Sequence, residues 1–285
     1  MAIRLVFSLF LLCLTSACAA TVSNQNGGEV NGSQLVSDPI EPVNRAIFWF
    51  NNKVDLNIIE PVAKGYNYVA PNPIQTGVRN FFDNLKFPRY FVSDLVKLDF
   101  GGALRQTGRF LINSTVGLLG LVDVAKHFEL ERNPNDFGLA FAHHGAGSGP
   151  YLVLPLLGPS NLRDAIGTVF DLLFDPIFFI GLTNQPLEID SWLLTGIGAL
   201  NTIQTRADLI EAINTARESS LDYYMFMQGA YSQYRSGLIQ RGDLRGLSRE
   251  EELAQSRGFS LNSLNSDKGR EAKSPFTDDQ PFGVD

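Results

Sequence analysis

Three features of the sequence predict an all-α fold. Apolar residues recur at three- and four-residue spacing through most of positions 39–234, the period of a helix with one apolar stripe. No series of alternating strands is present. The one irregular apolar stretch, Gly145–Asp164, reads as a connection between helical halves, because Pro150, Pro155 and Pro159 stop any long helix from crossing it. With 285 residues, 44% of them hydrophobic, the chain can bury a large core. Its 21 Phe against two Trp and eight Tyr favour dry packing or lipid contact over hydrogen-bonded recognition. A formal net charge of -7 argues against a nucleic-acid partner and against attraction to anionic lipid by a general positive field.

The elements follow in order. Residues 1–17 carry one charge, Arg4, then the apolar run Leu5–Leu14, and read as a secretory signal peptide, too short to span a membrane stably. The small residues before Cys18 resemble a bacterial lipobox, with Thr15 where Leu is usual, so Cys18 is the expected lipidation site. Ala19 after it points to the outer membrane. Cleavage also removes Cys13, which leaves the mature body no cysteine for a disulfide, a thiol nucleophile or a metal. Residues 18–37 form a flexible tether with nothing to bury.

The helical domain is expected over 38–256. Its first helix starts at Asp38-Pro-Ile-Glu-Pro and carries the stripe Val43, Ala46, Ile47, Phe50, Val54 and Ile58. Phe48 and Trp49 lie off that stripe, so the helix is either deeply buried or facing lipid. Helices follow through Ile74, Val78, Phe81 and Leu85, then through Phe91, Leu95 and Leu98. A fourth spans Gly101–Gly117, with Leu104, Gly108, Leu111 and Thr115 on one face. Leu118–Ala125 is a short apolar element and Glu129–Phe137 a charged loop.

Three glycines at alternate positions, Gly145, Gly147 and Gly149, mark a bend or a close approach. Tyr151–Leu154 and Leu156-Leu157 are apolar on consecutive residues, which reads as a buried path. Ala165–Leu182 nearly matches a bilayer span, but Asp171 and Asp175 each cost roughly 2.5–3.5 kcal/mol at a bilayer centre. A broken helical wedge in the membrane interface fits better. Trp192–Ile203 is another apolar element, and Arg206–Tyr234 reads as one soluble amphipathic helix. Residues 257–285 read as a disordered tail.

No active site emerges. Gly145-x-Gly-x-Gly-Pro lacks the Lys-Ser/Thr of a P-loop, and Pro150 stands where a dinucleotide fingerprint needs Gly. Ser148 lacks the glycine two residues earlier that a nucleophile elbow needs. His143 and His144 would point about 100° apart on a helix, unlike a metal-ligand pair, and His127 is the only other histidine. Asp164 with Arg163 reads as a helix start and Asp175-Pro as a turn. Neither an enzyme activity, a metal nor a cofactor is predicted.

Several motifs nevertheless occur together. They are Asp38-Pro-Ile-Glu-Pro-Val-Asn-Arg45 leading to Phe50-Asn51, Asn80-Phe-Phe-Asp-Asn-Leu85, Arg109-Phe-Leu-Ile-Asn-Ser-Thr-Val-Gly117, Gly120-Leu-Val-Asp-Val-Ala125, and Gly149-Pro-Tyr-Leu-Val-Leu-Pro-Leu-Leu-Gly-Pro with Arg163-Asp164. In that order they resemble the MlaA/VacJ family of outer-membrane lipoproteins over roughly residues 38–235. The resemblance implies a single ring-like helical body in the inner leaflet of the outer membrane, facing the periplasm and enclosing an amphipathic channel. It implies removal of mislocalised phospholipid from the outer leaflet, transfer to a periplasmic carrier, and association with a trimeric porin. With it, the candidates for the substrate path are Phe50, Asn51, Gly145, Gly147, Gly149, Pro150 and Tyr151. Two other classes stay open. A structural lipoprotein would only anchor partners, and a lipid hydrolase would need a nucleophile and base that the sequence does not offer.

Overall fold

The computed structural model describes residues 37–183 and 191–243. Contacts divide the chain into two units, Met1–Ser236 and Gly237–Asp285, and the first holds nearly all the described elements. The helices are α1 (Glu41–Val54), α2 (Glu60–Val69), α3 (Asn72–Leu85), α4 (Phe87–Val96), α5 (Phe100–Thr115), α6 (Phe137–His143), α7 (Leu162–Leu173), α8 (Pro176–Thr183), α9 (Ser191–Asp208), α10 (Ile210–Ser219) and α11 (Tyr223–Asp243). A π-turn, Asp55–Ile59, joins α1 to α2, and a 3-10 turn covers Ala125–Phe128. The signal peptide, Cys18, most of the tether and the 257–285 tail lie outside the described residues, as does the expected domain beyond residue 243.

The expected all-α class holds, and the reasons for the helix starts are local. Helices α1 to α4 each carry a proline in their first turn, where the missing N–H has no intrahelical partner to lose. The prolines that punctuate the sequence therefore open helices as well as end them. Asp99, Asp136 and Asn161 cap α5, α6 and α7 by accepting from Gly102, Leu139 and Asp164 N–H groups at 2.7, 2.8 and 2.8 Å. The expected break in Ala165–Leu182 falls between α7 and α8, where Asp175 accepts from the Ile177 and Phe178 N–H groups.

Three expectations need correction. Arg206–Tyr234 is not one helix: it contains the end of α9, all of α10 and the start of α11. The signal was there in Asp222, which accepts from the Tyr224 and Met225 N–H groups as the cap of α11. Leu118–Ala125 is a turn, not an element. The Gly145–Asp164 connection holds an antiparallel hairpin, β1 (Tyr151–Leu154) with β2 (Gly158–Asn161), paired Tyr151 with Asn161 and Leu154 with Gly158. Tyr151 and Val153 are buried, but Leu156 and Leu157 at the tip are exposed. Half of the supposed buried path thus lies outside.

Two cores hold the unit together. Tyr151 and Val153 of β1 pack with Tyr224 of α11, and Ile47, Phe48 and Tyr231 close around them. Between α6 and α7, Phe137 meets Phe170 and Phe174 at ring distances of 5.7 and 5.3 Å. There Gly167 and Gly138 let two backbones touch, since a Cβ on Gly167 would stand 2.4 Å from the Gly138 nitrogen.

Beyond those cores the usual distribution is reversed. Among the described residues, more polar and charged residues than apolar ones are buried. On α5, Leu104 and Leu111 are 74% and 55% exposed, while Arg109 and Asn113 are 7% and 5% exposed. Along α1 the stripe is split, for Val43 and Phe50 are exposed and Asn44 is buried, while Ile47 packs on the first core.

Candidate functional site

The inward face of α5 sets Gln106, Arg109 and Asn113 at three- and four-residue spacing, on one side of the helix. Arg109 Nη2 donates to both Asp123 oxygens, at 2.8 and 2.9 Å. Asn113 completes that contact by donating to Asp123 at 3.0 Å and accepting the Ala125 N–H at 2.9 Å. Burial works to raise the Asp123 carboxyl, but the hydrogen bonds from Asn113 and Arg109 and the nearby guanidinium charges outweigh it. The group sits below the usual carboxylate range.

Opposite stands α3. Arg132, reaching in from the charged loop, pairs with Asp83, and its Nη2 donates to Asn80 Oδ1 at 3.0 Å. Lys86 also holds Asp83, at 3.1 Å. Asn84 donates to Ser114 Oγ at 2.9 Å. All of these side chains except Lys86 and Ser114 line a small, partly open cavity of about 30 Å³, with Phe87 stacked on Phe110 at its side. That volume suits ordered water, not a lipid headgroup. The ions lining it balance, two guanidiniums against two carboxylates.

At the rim of this cavity, α5 runs out into Val116–Val122. Leu118, Leu119 and Gly120 all have positive φ, 53°, 58° and 91°. For leucine that conformation costs about 1–2 kcal/mol per residue. Gly120 is required, because a Cβ there would come within 2.6 Å of the Asn84 Cβ.

A second ionic cluster lies at the π-turn. Asp55 and Glu60, five residues apart, would point about 140° apart on a regular α-helix. The wider π-turn brings both to Arg206, which donates to Asp55 at 2.6 and 3.0 Å and to Glu60 at 2.9 Å. Arg217 bridges the same two carboxylates at 3.1 and 3.2 Å. Lys64, ahead of Arg217, holds Glu60 below its ordinary range against the opposing pull of burial.

The candidates read from the sequence converge only in part. Asn51 and Tyr151 both lie where α1 meets the hairpin, bonded to different residues. Asn44 donates to the Tyr151 carbonyl at 3.0 Å and accepts the Val153 N–H at 2.9 Å. Asn51, two turns on, donates to the Leu154 carbonyl at 2.9 Å and accepts the Leu156 N–H at 2.8 Å. Phe50 points away and is exposed. Gly145 and Gly149 have positive φ; Gly147 does not, and no atom lies within 4 Å of a Cβ placed there. Pro150 is half-buried, and its carbonyl accepts the Leu162 N–H at 3.0 Å. The cavity residues Asn80, Asp83, Arg109, Asn113 and Asp123 were missed as a site, although all lie inside the motifs that carry the family resemblance. Their signal was a polar stripe opposite an apolar one. Among the described residues no group of three or more His, Cys, Asp or Glu could hold a metal ion.

Comparison with known proteins places this arrangement. The family profile described as MlaA lipoprotein matches residues 36–237. The intermembrane phospholipid transport system lipoprotein MlaA of Escherichia coli K12 is 32% identical over 236 residues, covering 81% of this chain and 87% of its own. The Shigella flexneri protein of the same name gives the same identity and coverage. An uncharacterized protein of Rickettsia bellii is 32% identical over 221 residues, 77% of this chain and 84% of its own. A structure solved under the heading of the structural basis for maintenance of bacterial outer membrane lipid asymmetry superposes with a TM-score of 0.59 at 32% identity. It covers 71% of this chain and 99% of that one.

Proposed function

This chain belongs to the MlaA lipoprotein family, and from that membership we propose that it draws phospholipid from the outer leaflet of the outer membrane through its own body. Intermembrane phospholipid transport in the service of outer-membrane lipid asymmetry is the function; the route is the proposal. A ring-like body sits in the inner leaflet, encloses an amphipathic channel and hands the lipid to a periplasmic carrier. A trimeric porin partners it, Cys18 carries the lipid anchor after residues 1–17 are removed, and residues 38–256 make up the transport domain. Transport here needs no catalysis.

The observation that carries this reading is the reversal on α5 and α1. A body with buried Arg109, Asn113 and Asp123 and exposed Leu104, Leu111 and Phe50 suits hydrocarbon outside and polar surface inside. No described helix is long and apolar enough to cross a membrane, which fits a body set into one leaflet and not through both. The hairpin and the glycines before it, with Phe50 and Asn51, border the path, and the unobstructed Gly147 gives that border its freedom to move.

Deleting the gene should raise phospholipid exposure at the cell surface, and the wild-type gene should restore it. Intact phospholipid should co-purify with the protein, as mass spectrometry would show. Unchanged surface exposure together with lipid-free protein would overturn the transport route, and lipid turnover would favour a hydrolase. Metabolic fatty-acid labelling should mark wild type and not Cys18→Ser.

A further inference from the structure

Helix α4 stands between the polar-faced α5 and the dry α6–α7 pair, packing on both α5 and α6. Where it comes up against that pair, Arg89 of α4 and Asp171 of α7 approach each other and stop short, with Nε 4.0 Å from Oδ1. That gap is too long for a hydrogen bond and too short to hold a bridging water. Arg89 Nε is closed off from solvent and donates to no acceptor among the described residues. A buried guanidinium N–H is costly to leave in that state. A movement of about 1 Å would bring the Asp171 oxygen to it.

The surroundings say why the pair stands open. Asp171 accepts the Phe137 N–H at 3.1 Å, and the other charged groups near it are engaged elsewhere. Asp136, the cap of α6, takes Arg235 Nη1 and Nη2 of α11 at 2.6 and 3.0 Å, and Arg235 Nε lies 2.8 Å from Asp164. Asp164 also holds Arg163 at 2.9 Å and the Tyr231 hydroxyl at 2.5 Å. Asp175, one turn on, accepts from the α8 N–H groups of Ile177 and Phe178. Helix α8, β1 and β2 carry no charged residue, and α6 carries only His143 at the end away from Phe137. Tyr90 sets its ring 5.1 Å from the Arg89 guanidinium carbon. Arg89 is therefore the cation available to Asp171. Burial pushes the Asp171 carboxyl up to about 7, with Asp136 adding to the rise and Arg89 and the Phe137 N–H opposing it. A neutral acid gives Arg89 no cause to close the gap; an ionised one in this dry contact does.

We propose that Arg89 and Asp171 form a proton-operated catch between α4 and α7. It stands open while the carboxyl carries its proton and closes into an ion pair when the proton leaves. Closing it seats α4 more firmly on the α6–α7 pair, and α4 carries that change to its other neighbour, α5. The inference goes beyond the transport reading and stands without it.

For the test, the full-length protein in detergent is labelled with carbon-13 at aspartate Cγ and nitrogen-15 at arginine Nε and followed by NMR from pH 5 to pH 9. Asp171→Asn, close in shape to the neutral acid, identifies the Asp171 signal, and Arg89→Lys identifies the other. The Asp171 carboxyl should titrate near pH 7. The Arg89 Nε–H should move with the same midpoint and, above it, exchange with water about tenfold more slowly once the intrinsic effect of pH is removed. In Asp171→Asn the Arg89 signal should ignore pH. Arg89→Met should raise the Asp171 midpoint by about one pH unit, and Arg89→Lys, which keeps the cation, should restore most of the difference. Exchange of the α4 amides, corrected in the same way, should slow through the same interval. An Arg89 signal that ignores the Asp171 titration, a midpoint unmoved by Arg89→Met, or an Asp171 that keeps one charge state throughout overturns the catch. Exchange along α4 that ignores the titration overturns its hold on that helix. Should Arg89→Met fail to fold, the wild type and Asp171→Asn still decide between these outcomes.

Discussion

Helix α5 and the α6–α7 pair lie in the same folded unit and treat their side chains in opposite ways. The α6–α7 contact is dry and close, with Phe137 against Phe170 and Phe174 and two glycines letting the helices meet. Helix α5 buries Gln106, Arg109 and Asn113 and presents Leu104 and Leu111 outward. Both α5 and α7 show an apolar period in sequence. The period says that one face differs from the other; it does not say which solvent each face meets.

Breaking the polar interior should have the largest effect. Arg109→Ala leaves the Asp123 charge buried with one hydrogen bond from Asn113 and one long contact from Arg132 at 3.4 Å, and should destabilise by about 3–5 kcal/mol. The double variant Arg109→Met with Asp123→Leu should recover most of that loss, since it removes the stranded charge. Denaturant unfolding in detergent reads both, and a mild Arg109→Ala phenotype would mean the α5 interior is wetter than its burial implies.

The dry half is tested at its glycines. Gly167→Ala forces a Cβ to 2.4 Å from the Gly138 nitrogen and should cost about 1–3 kcal/mol. Gly108→Ala on α5, where the nearest atom is Leu130 Cδ1 at 3.5 Å, should be neutral or slightly stabilising. Equal effects at the two positions would erase the contrast.

Asp171 is the polar intruder in the dry half. It accepts the Phe137 N–H at 3.1 Å, and Arg89 Nε at 4.0 Å is too far for a hydrogen bond. Burial pushes its carboxyl from 3.8 up to about 7. The folded state therefore holds this proton more tightly than the unfolded state. The associated stability is full below the unfolded value and is lost as pH rises through about 7, by on the order of 2 kcal/mol. Tm measured from pH 5 to pH 8 should fall in wild type, and the fall should shrink in Asp171→Asn.

The smallest stability effect belongs to the outer face of α5. Leu104→Ser with Leu111→Ser should change stability in detergent by less than about 0.5 kcal/mol, because both side chains are already exposed. Vesicle flotation should weaken nonetheless. A drop in Tm comparable to that of Gly167→Ala would show that this face is packed against protein.

What the sequence made legible follows the same division. The starts of α1, α3 and α4 could be read from Pro42, Pro73 and Pro88, because proline constrains its own backbone whatever surrounds it; α2, which Pro61 opens, was not among the helices expected. The break before α8 was legible for the same reason at Pro176. The ends around Leu209 and Ser220 were not, since no proline or glycine marks them and only the cap Asp222 gave a sign. The hairpin escaped notice because its strands are four residues each, Pro150 and Pro155 flank β1, and Pro159 lies within β2. The cavity was hidden for a deeper reason. Arg109 and Asp123 pair across 14 positions, and nothing local to either residue says that the polar side of α5 is the inner one.

The paired amides of Asn44 and Asn51 have a consequence for handling outside the membrane. They span Leu152 and Pro155 respectively; those positions lie about 10 Å apart along an extended chain, and two helical turns rise by nearly the same length. One side of β1 hydrogen-bonds to β2, and the other is occupied by side chains of α1 and by the Ser37 carbonyl, which accepts the Tyr151 N–H at 2.9 Å. A short apolar strand with its second edge open would be a template on which another unfolded chain could add itself. Here that edge is already taken, by two residues whose spacing on a helix matches the strand. A chain bound for a membrane thus carries its most strand-like segment sealed against its own copies.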